Sequence, residues 1–138
     1  MDGCRRRRPS WRFRPHRVLH GRRIEHRQWV RNARREAYLR LLNDLDACTA
    51  LRIAKDAKIR DVTYEELHAA MATAERSARN VMLLGPNSVL DLAQQLYEAV
   101  PDLALTADLE MDLSRMGALR NLIALFAGKA RSALSTGR

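Results

Sequence analysis

Acidic residues are scarce in the first part of this chain. Residues 1–40 contain only Asp2, Glu25 and Glu36 against 14 arginines, a net charge of +11. Cysteine is scarce throughout. Cys4 and Cys48 make no disulfide framework and fit a reducing compartment. Aromatic residues make up 5% of the chain and β-branched residues are sparse, which argues against a sheet-based core. No segment reaches the roughly 18 to 20 consecutive apolar residues that a bilayer span needs. The longest uncharged run, residues 80–90, is interrupted by Gly85-Pro86. No apolar stretch follows Arg5–Arg8, so the N-terminal end does not read as an export signal. A cytoplasmic protein is expected.

What remains is rich in Leu and Ala, both strong helix formers. Hydrophobic residues make up 46% of 138 residues, enough for one domain. Charge divides it unevenly. Residues 41–138 hold 11 basic and 13 acidic side chains, so a nearly neutral domain follows a polycationic extension whose overall effect is the net +9. A split of this kind points to a partner rich in phosphate or anionic lipid.

The chain is organised around Trp29 to Ala57, a stretch with no Gly or Pro. Val30, Ala33, Ala37, Tyr38, Leu41, Leu45, Cys48 and Leu51 recur mostly at steps of three and four, one face of a helix. Residues 1–21, with Gly3, Pro9, Pro15 and Gly21, read as a disordered basic arm, and residues 22–138 as a helical bundle. Helical character is expected to begin among Arg22 to Gln28, with a frayed first turn because cations there oppose the helix dipole.

The second helix has a full start signal. Thr63 is placed as N-cap and Glu66 as its partner three residues on, with Val62 and Leu67 as the apolar staple. It is predicted over Tyr64 to Leu84, ending where Gly85 can turn the chain and Pro86 cannot continue the ladder. Asn87 or Ser88 is the expected cap of a third helix with Val89, Leu92, Ala93, Leu96, Tyr97 and Val100 on its apolar face, broken by Pro101-Asp102. A fourth helix is expected from near Thr106 or Asp108, with a stripe of Leu109, Leu113, Met116, Leu119, Ile123, Phe126 and Ala130. Short connections make successive helices antiparallel neighbours. The predicted fold is all-α: a four-helix antiparallel bundle with one long first helix and a disordered basic N-terminal arm.

The stretch RNARREAYLRLL at 31–42 resembles an uncharacterised family of small bacterial helical proteins. In that family an Arg-rich segment leads into an Arg-Arg-Glu-Ala-Tyr motif on a long helix, and a second helix closes in an apolar-Gly-Pro or apolar-Pro-Pro break. The corresponding residues are Arg34-Arg35-Glu36-Ala37-Tyr38 and Leu83-Leu84-Gly85-Pro86, and the likeness spans roughly residues 27–134. Members often carry a membrane anchor before the Arg-rich segment, and here an Arg-rich arm stands in that place. The resemblance implies a fold and carries no activity.

The candidate binding residues are Arg5, Arg6, Arg7, Arg8, Trp11, Arg12, Phe13, Arg14, Arg17, Arg22, Arg23 and Arg27. Guanidinium forks match phosphate, and the interleaved Trp11 and Phe13 suit stacking on bases, so non-specific nucleic-acid binding is the expected function. Six arginines on phosphates would make log affinity fall with log salt at a slope of about −5. The alternatives are a peripheral protein on an anionic membrane, with Trp11, Phe13, Val18 and Leu19 at the interface, or a helical module that binds a protein partner or a second copy and gives the arm no ligand.

Catalysis is not expected. Glu65-Glu66 and Asp108, Glu110 and Asp112 are explained by their places at helix starts. No phosphate-binding glycine loop, zinc-protease pair or Ser-His-Asp set is present. His16 and His20 have a spacing that would suit a metal, but no Cys, Asp or Glu completes a site beside them. No cofactor, metal or small-molecule substrate is therefore expected. Cys48 reads as a buried, inert thiol and Cys4, before four arginines, as the reactive one.

Overall fold

The computed structural model describes residues 16–105 and 113–136. Helix α1 runs from His16 to Asp56, α2 from Tyr64 to Leu84, α3 from Asn87 to Ala99, α4 from Asp102 to Leu105 and α5 from Leu113 to Ser135. The four long helices form an all-α bundle, and among the described residues no strand occurs. In sequence, α1 packs on α2, α2 on α3 and α3 on α5, and α5 closes the ring against α1. Short α4 is a single turn between the last two long helices.

The apolar stripe read from the sequence forms the core. Tyr38, Leu41, Leu45 and Cys48 of α1 are buried against Leu67, Ala74, Ala78 and Val81 of α2 and Val89, Ala93 and Leu96 of α3. Helix α5 adds Met116, Leu119, Phe126 and Ala130, and Phe126 meets Tyr38 edge-on with ring centres 5.8 Å apart. Ile123, expected on this stripe, is half-buried at its margin. Leu109 lies outside the described residues.

Helix α2 has the limits its local signals require. Thr63 has extended backbone, and its hydroxyl accepts from the Glu66 amide at 3.2 Å. Val62 and Leu67 are both buried, as a staple demands. The Glu66 carboxylate faces Arg60, at 3.4 Å. At the far end Gly85 takes φ 62° and ψ −158°, a conformation open in practice to glycine alone.

Three boundaries differ from expectation. Helix α1 starts at His16, so Gly21 lies inside it and Arg17 is helical rather than part of an irregular arm. Arginine is a good helix former, and one interior glycine costs only about 1 kcal/mol, too little to end a helix. The third helix begins at Asn87, with Pro86 at its N-cap and no side-chain cap bond. Gly85 and Pro86 together make the turn, so neither Asn87 nor Ser88 is left outside the helix to cap it. The break at Pro101-Asp102 is real, but Asp102 opens the extra turn α4. The expected start of the fourth helix at Thr106 or Asp108 lies outside the described residues.

The largest fully buried side chain belongs to a residue that no apolar pattern includes. Arg52, one helical step beyond Cys48 on the core stripe, is 0% exposed. Its Nε donates to Asp56 at 2.9 Å and its guanidinium donates to the Leu103 carbonyl at 2.6 Å. It ties the C-terminal end of α1 to α4.

Candidate nucleic-acid interface

Helix α1 has 41 residues and α2 has 21, so α1 outreaches its partner by roughly 30 Å at 1.5 Å per residue. Two hydrogen bonds mark where the overlap ends. Arg34 Nε donates to the Leu84 carbonyl at 2.9 Å, and the Tyr38 hydroxyl donates to the Gly85 carbonyl at 2.7 Å. Arg34 and Tyr38 are four apart and share a face. They take two of the carbonyls left without helical partners where α2 ends and the turn begins. The two short motifs singled out in the sequence thus touch one another. Burial raises the Tyr38 hydroxyl pKa, and the Arg34 charge acts in the opposite direction.

Upstream of this latch α1 stands clear of α2, and its surface is arginine. Arg22, Arg23, Arg27, Arg31 and Arg35 are all exposed. Four of them, Arg23, Arg27, Arg31 and Arg35, recur every fourth residue. They form a row, an arginine ridge, that winds about 120° round the helix over about 18 Å. Like charges at this spacing destabilise a helix. Among the described residues none of the four has an ion pair or hydrogen bond to offset it. Arg22, Arg23 and Arg27 are among the binding residues expected from the sequence; Arg31 and Arg35 are not, and their four-residue spacing is the signal that sets them in the same row. Arg5–Arg8, Trp11, Arg12, Phe13 and Arg14 lie outside the described residues, and Arg17 is in the second residue of α1.

The other side of the extension differs. Trp29 is 63% exposed and stacks on His26, with ring centres 6.1 Å apart. Glu25 and Glu36 flank that side. Exposed Ile24 is about 140° round the helix from Trp29, so the two do not make one apolar face. Below the ridge, the end of α5 approaches α1 and leaves a cleft of about 210 Å³ between them.

Other polar groups are occupied with structure. The Ser77 hydroxyl donates to the Asp44 carboxylate between α2 and α1. Arg79 donates to the Tyr97 hydroxyl at 2.7 Å, joining α2 to α3. Lys55 sits over the Tyr64 ring at 5.4 Å. Cys48 is wholly buried, and burial, followed by Asp44 and Glu75, pushes its thiol up to about 11, far from the thiolate at neutral pH. Among the described residues, no three His, Cys, Asp or Glu side chains gather as a metal would require, and no helix is long and apolar enough to cross a membrane. Set against known proteins, the chain matches no family model, no curated protein and no solved structure.

Proposed function

We propose that this protein is a non-enzymatic, cytoplasmic binding or adaptor protein that holds nucleic acid through the basic N-terminal part of its chain, with little sequence preference. The observation that carries this reading is the ridge Arg23–Arg27–Arg31–Arg35, exposed, unpaired among the described residues and set on a helix that extends beyond its α2 partner. Four guanidinium forks in a row suit a line of phosphates. The arginines at 5–8, 12, 14 and 17 precede them in the chain and extend the same charge. Phosphate contacts position a protein without reading bases, so weak sequence discrimination follows.

An anionic membrane would use the same charge differently. A helix lying in a bilayer interface needs one continuous apolar face. Ile24 and Trp29 point to different sides of the extension, which favours a polyanion over a lipid surface. The test compares a short duplex DNA with phosphatidylserine vesicles at matched, near-physiological salt. Expected are duplex binding that weakens steeply with salt, its collapse when Arg23, Arg27, Arg31 and Arg35 are all changed to Gln, and no vesicle binding. Vesicle binding without duplex binding would transfer the arm to a membrane. Binding of neither would leave a helical module for a protein partner or a second copy.

A further inference from the structure

The cleft between the α1 extension and the end of α5 has two unlike walls. Helix α1 supplies His26, Arg27, Val30, Arg31 and Arg34, and α5 supplies Ala133 and Leu134. Arg27, Arg31 and Arg34 fall at steps of four and three, so their guanidinium groups share one side of α1. Among the described residues no carboxylate lines the space.

These arginines are not consumed by the fold. Arg27 and Arg31 form no hydrogen bond or ion pair among the described residues. Arg34 commits its Nε to the Leu84 carbonyl and retains its terminal nitrogens. Helix α5 caps part of its own C-terminal end. Its Ser132 carbonyl already accepts from the Ser135 hydroxyl at 2.9 Å and the Thr136 hydroxyl at 3.0 Å. Arg27, Arg31 and Arg34 therefore line a cleft whose other wall is the apolar Ala133 and Leu134. A carboxylate, with two oxygens, satisfies one fork. A phosphate presents enough acceptor oxygens to engage several.

We propose that this cleft is a phosphate-binding site, seating one phosphate of the nucleic acid bound along the arginine ridge. The assignment of the phosphate to nucleic acid rests on the function proposed above; the site itself rests on the cleft. It also gives α5 a part in binding, because a lone basic helix would offer a ridge and no pocket.

Two experiments on the full chain test it. In the first, pyrophosphate is titrated into the unmodified protein while the arginine Nε–Hε signals are followed by NMR, with acetate at equal ionic strength as the control. Arg27, Arg31 and Arg34 should shift together and saturate, whereas Arg23 and Arg35, on the ridge outside the cleft, should move little. In the second, Leu134→Glu is compared with Leu125→Glu, which adds the same charge to the exposed side of α5. Leu134→Glu should weaken duplex binding roughly tenfold or more through an anion placed against the phosphate, and should reduce the salt slope by about one. Leu125→Glu should change affinity less than about threefold. Leu134 is half-buried, so helicity is checked first; the pyrophosphate titration does not depend on that variant. Equal effects of the two substitutions, or equal shifts at all five arginines, would overturn the site and leave nucleic-acid binding by the ridge intact. Saturable pyrophosphate binding with no duplex binding would uphold the site and overturn its assignment to nucleic acid.

Discussion

Replacing Arg52 by Ala should be among the most damaging single changes in the bundle. Its side chain is 1% exposed, and its two described bonds reach a carboxylate on its own helix and a carbonyl 51 residues away. Truncation leaves the Leu103 carbonyl without its donor, worth about 1–3 kcal/mol, and opens a cavity where the long stem packed. It also strands the charge of Asp56, whose side chain is 22% exposed and so keeps some hydration. These terms overlap. Breaking a buried pair by removing one partner typically costs about 3–5 kcal/mol, and that is the expected loss. Arg52→Met keeps most of the stem, so it should cost less, about 1–3 kcal/mol, chiefly from the orphaned carbonyl. The assay is urea unfolding followed by helical circular dichroism. With a slope of about 2 kcal/mol per molar urea, the Ala variant should lose roughly 2 M in midpoint. Amide exchange at residues 102–105 should also speed up, because α4 loses its tie to α1. An Ala variant within about 1 kcal/mol of the parent would mean that desolvating the guanidinium offsets its bonds. A Met variant less stable than Ala would mean that packing of the stem contributes nothing.

Three further outcomes are expected. Gly85→Ala should cost about 1–3 kcal/mol from backbone strain alone, since a Cβ there would meet nothing nearer than Arg34 and the Asn87 amide, each at 3.8 Å; a melt shift of less than a degree would show that the turn relaxes freely. Thr63→Ala should cost about 1 kcal/mol, and Thr63→Asn or Thr63→Asp should recover most of it in the same melt. Cys48 keeps its proton to about 11 in the folded chain against an ordinary 9.0, so the unfolded chain loses its proton first and stability should fall as pH rises from 9 towards 11. Cys48→Ala should flatten that stretch of the stability–pH curve, whatever it does to stability at neutral pH, and a slope unchanged by the substitution would assign it to other groups.

Local chemistry made much of the fold legible from the chain alone. The limits of α2 could be read because a capping hydroxyl, its staple and a glycine turn act within a few residues of one another. The core stripes could be read because burial repeats with the helical period, and the basic ridge because a four-residue spacing is a fact of sequence. Tertiary structure decided what depends on distant partners. Arg52 reads as a surface residue until Leu103 and Asp56 surround it, because a buried guanidinium is tolerated only when its donors are satisfied. Arg34 and Tyr38 lie 50 and 47 residues from the carbonyls they hold, so no local pattern could pair the two motifs they belong to. The start of α1 and the missing side-chain cap on α3 turned on small energies: one glycine was too weak to end a run of helix-forming arginines, and the Gly85-Pro86 turn left no residue outside α3 to cap it. The cleft is the clearest case. Its arginines and its apolar wall are about a hundred residues apart in the chain, and they make one surface only because α5 runs back antiparallel to α1 and ends beside it.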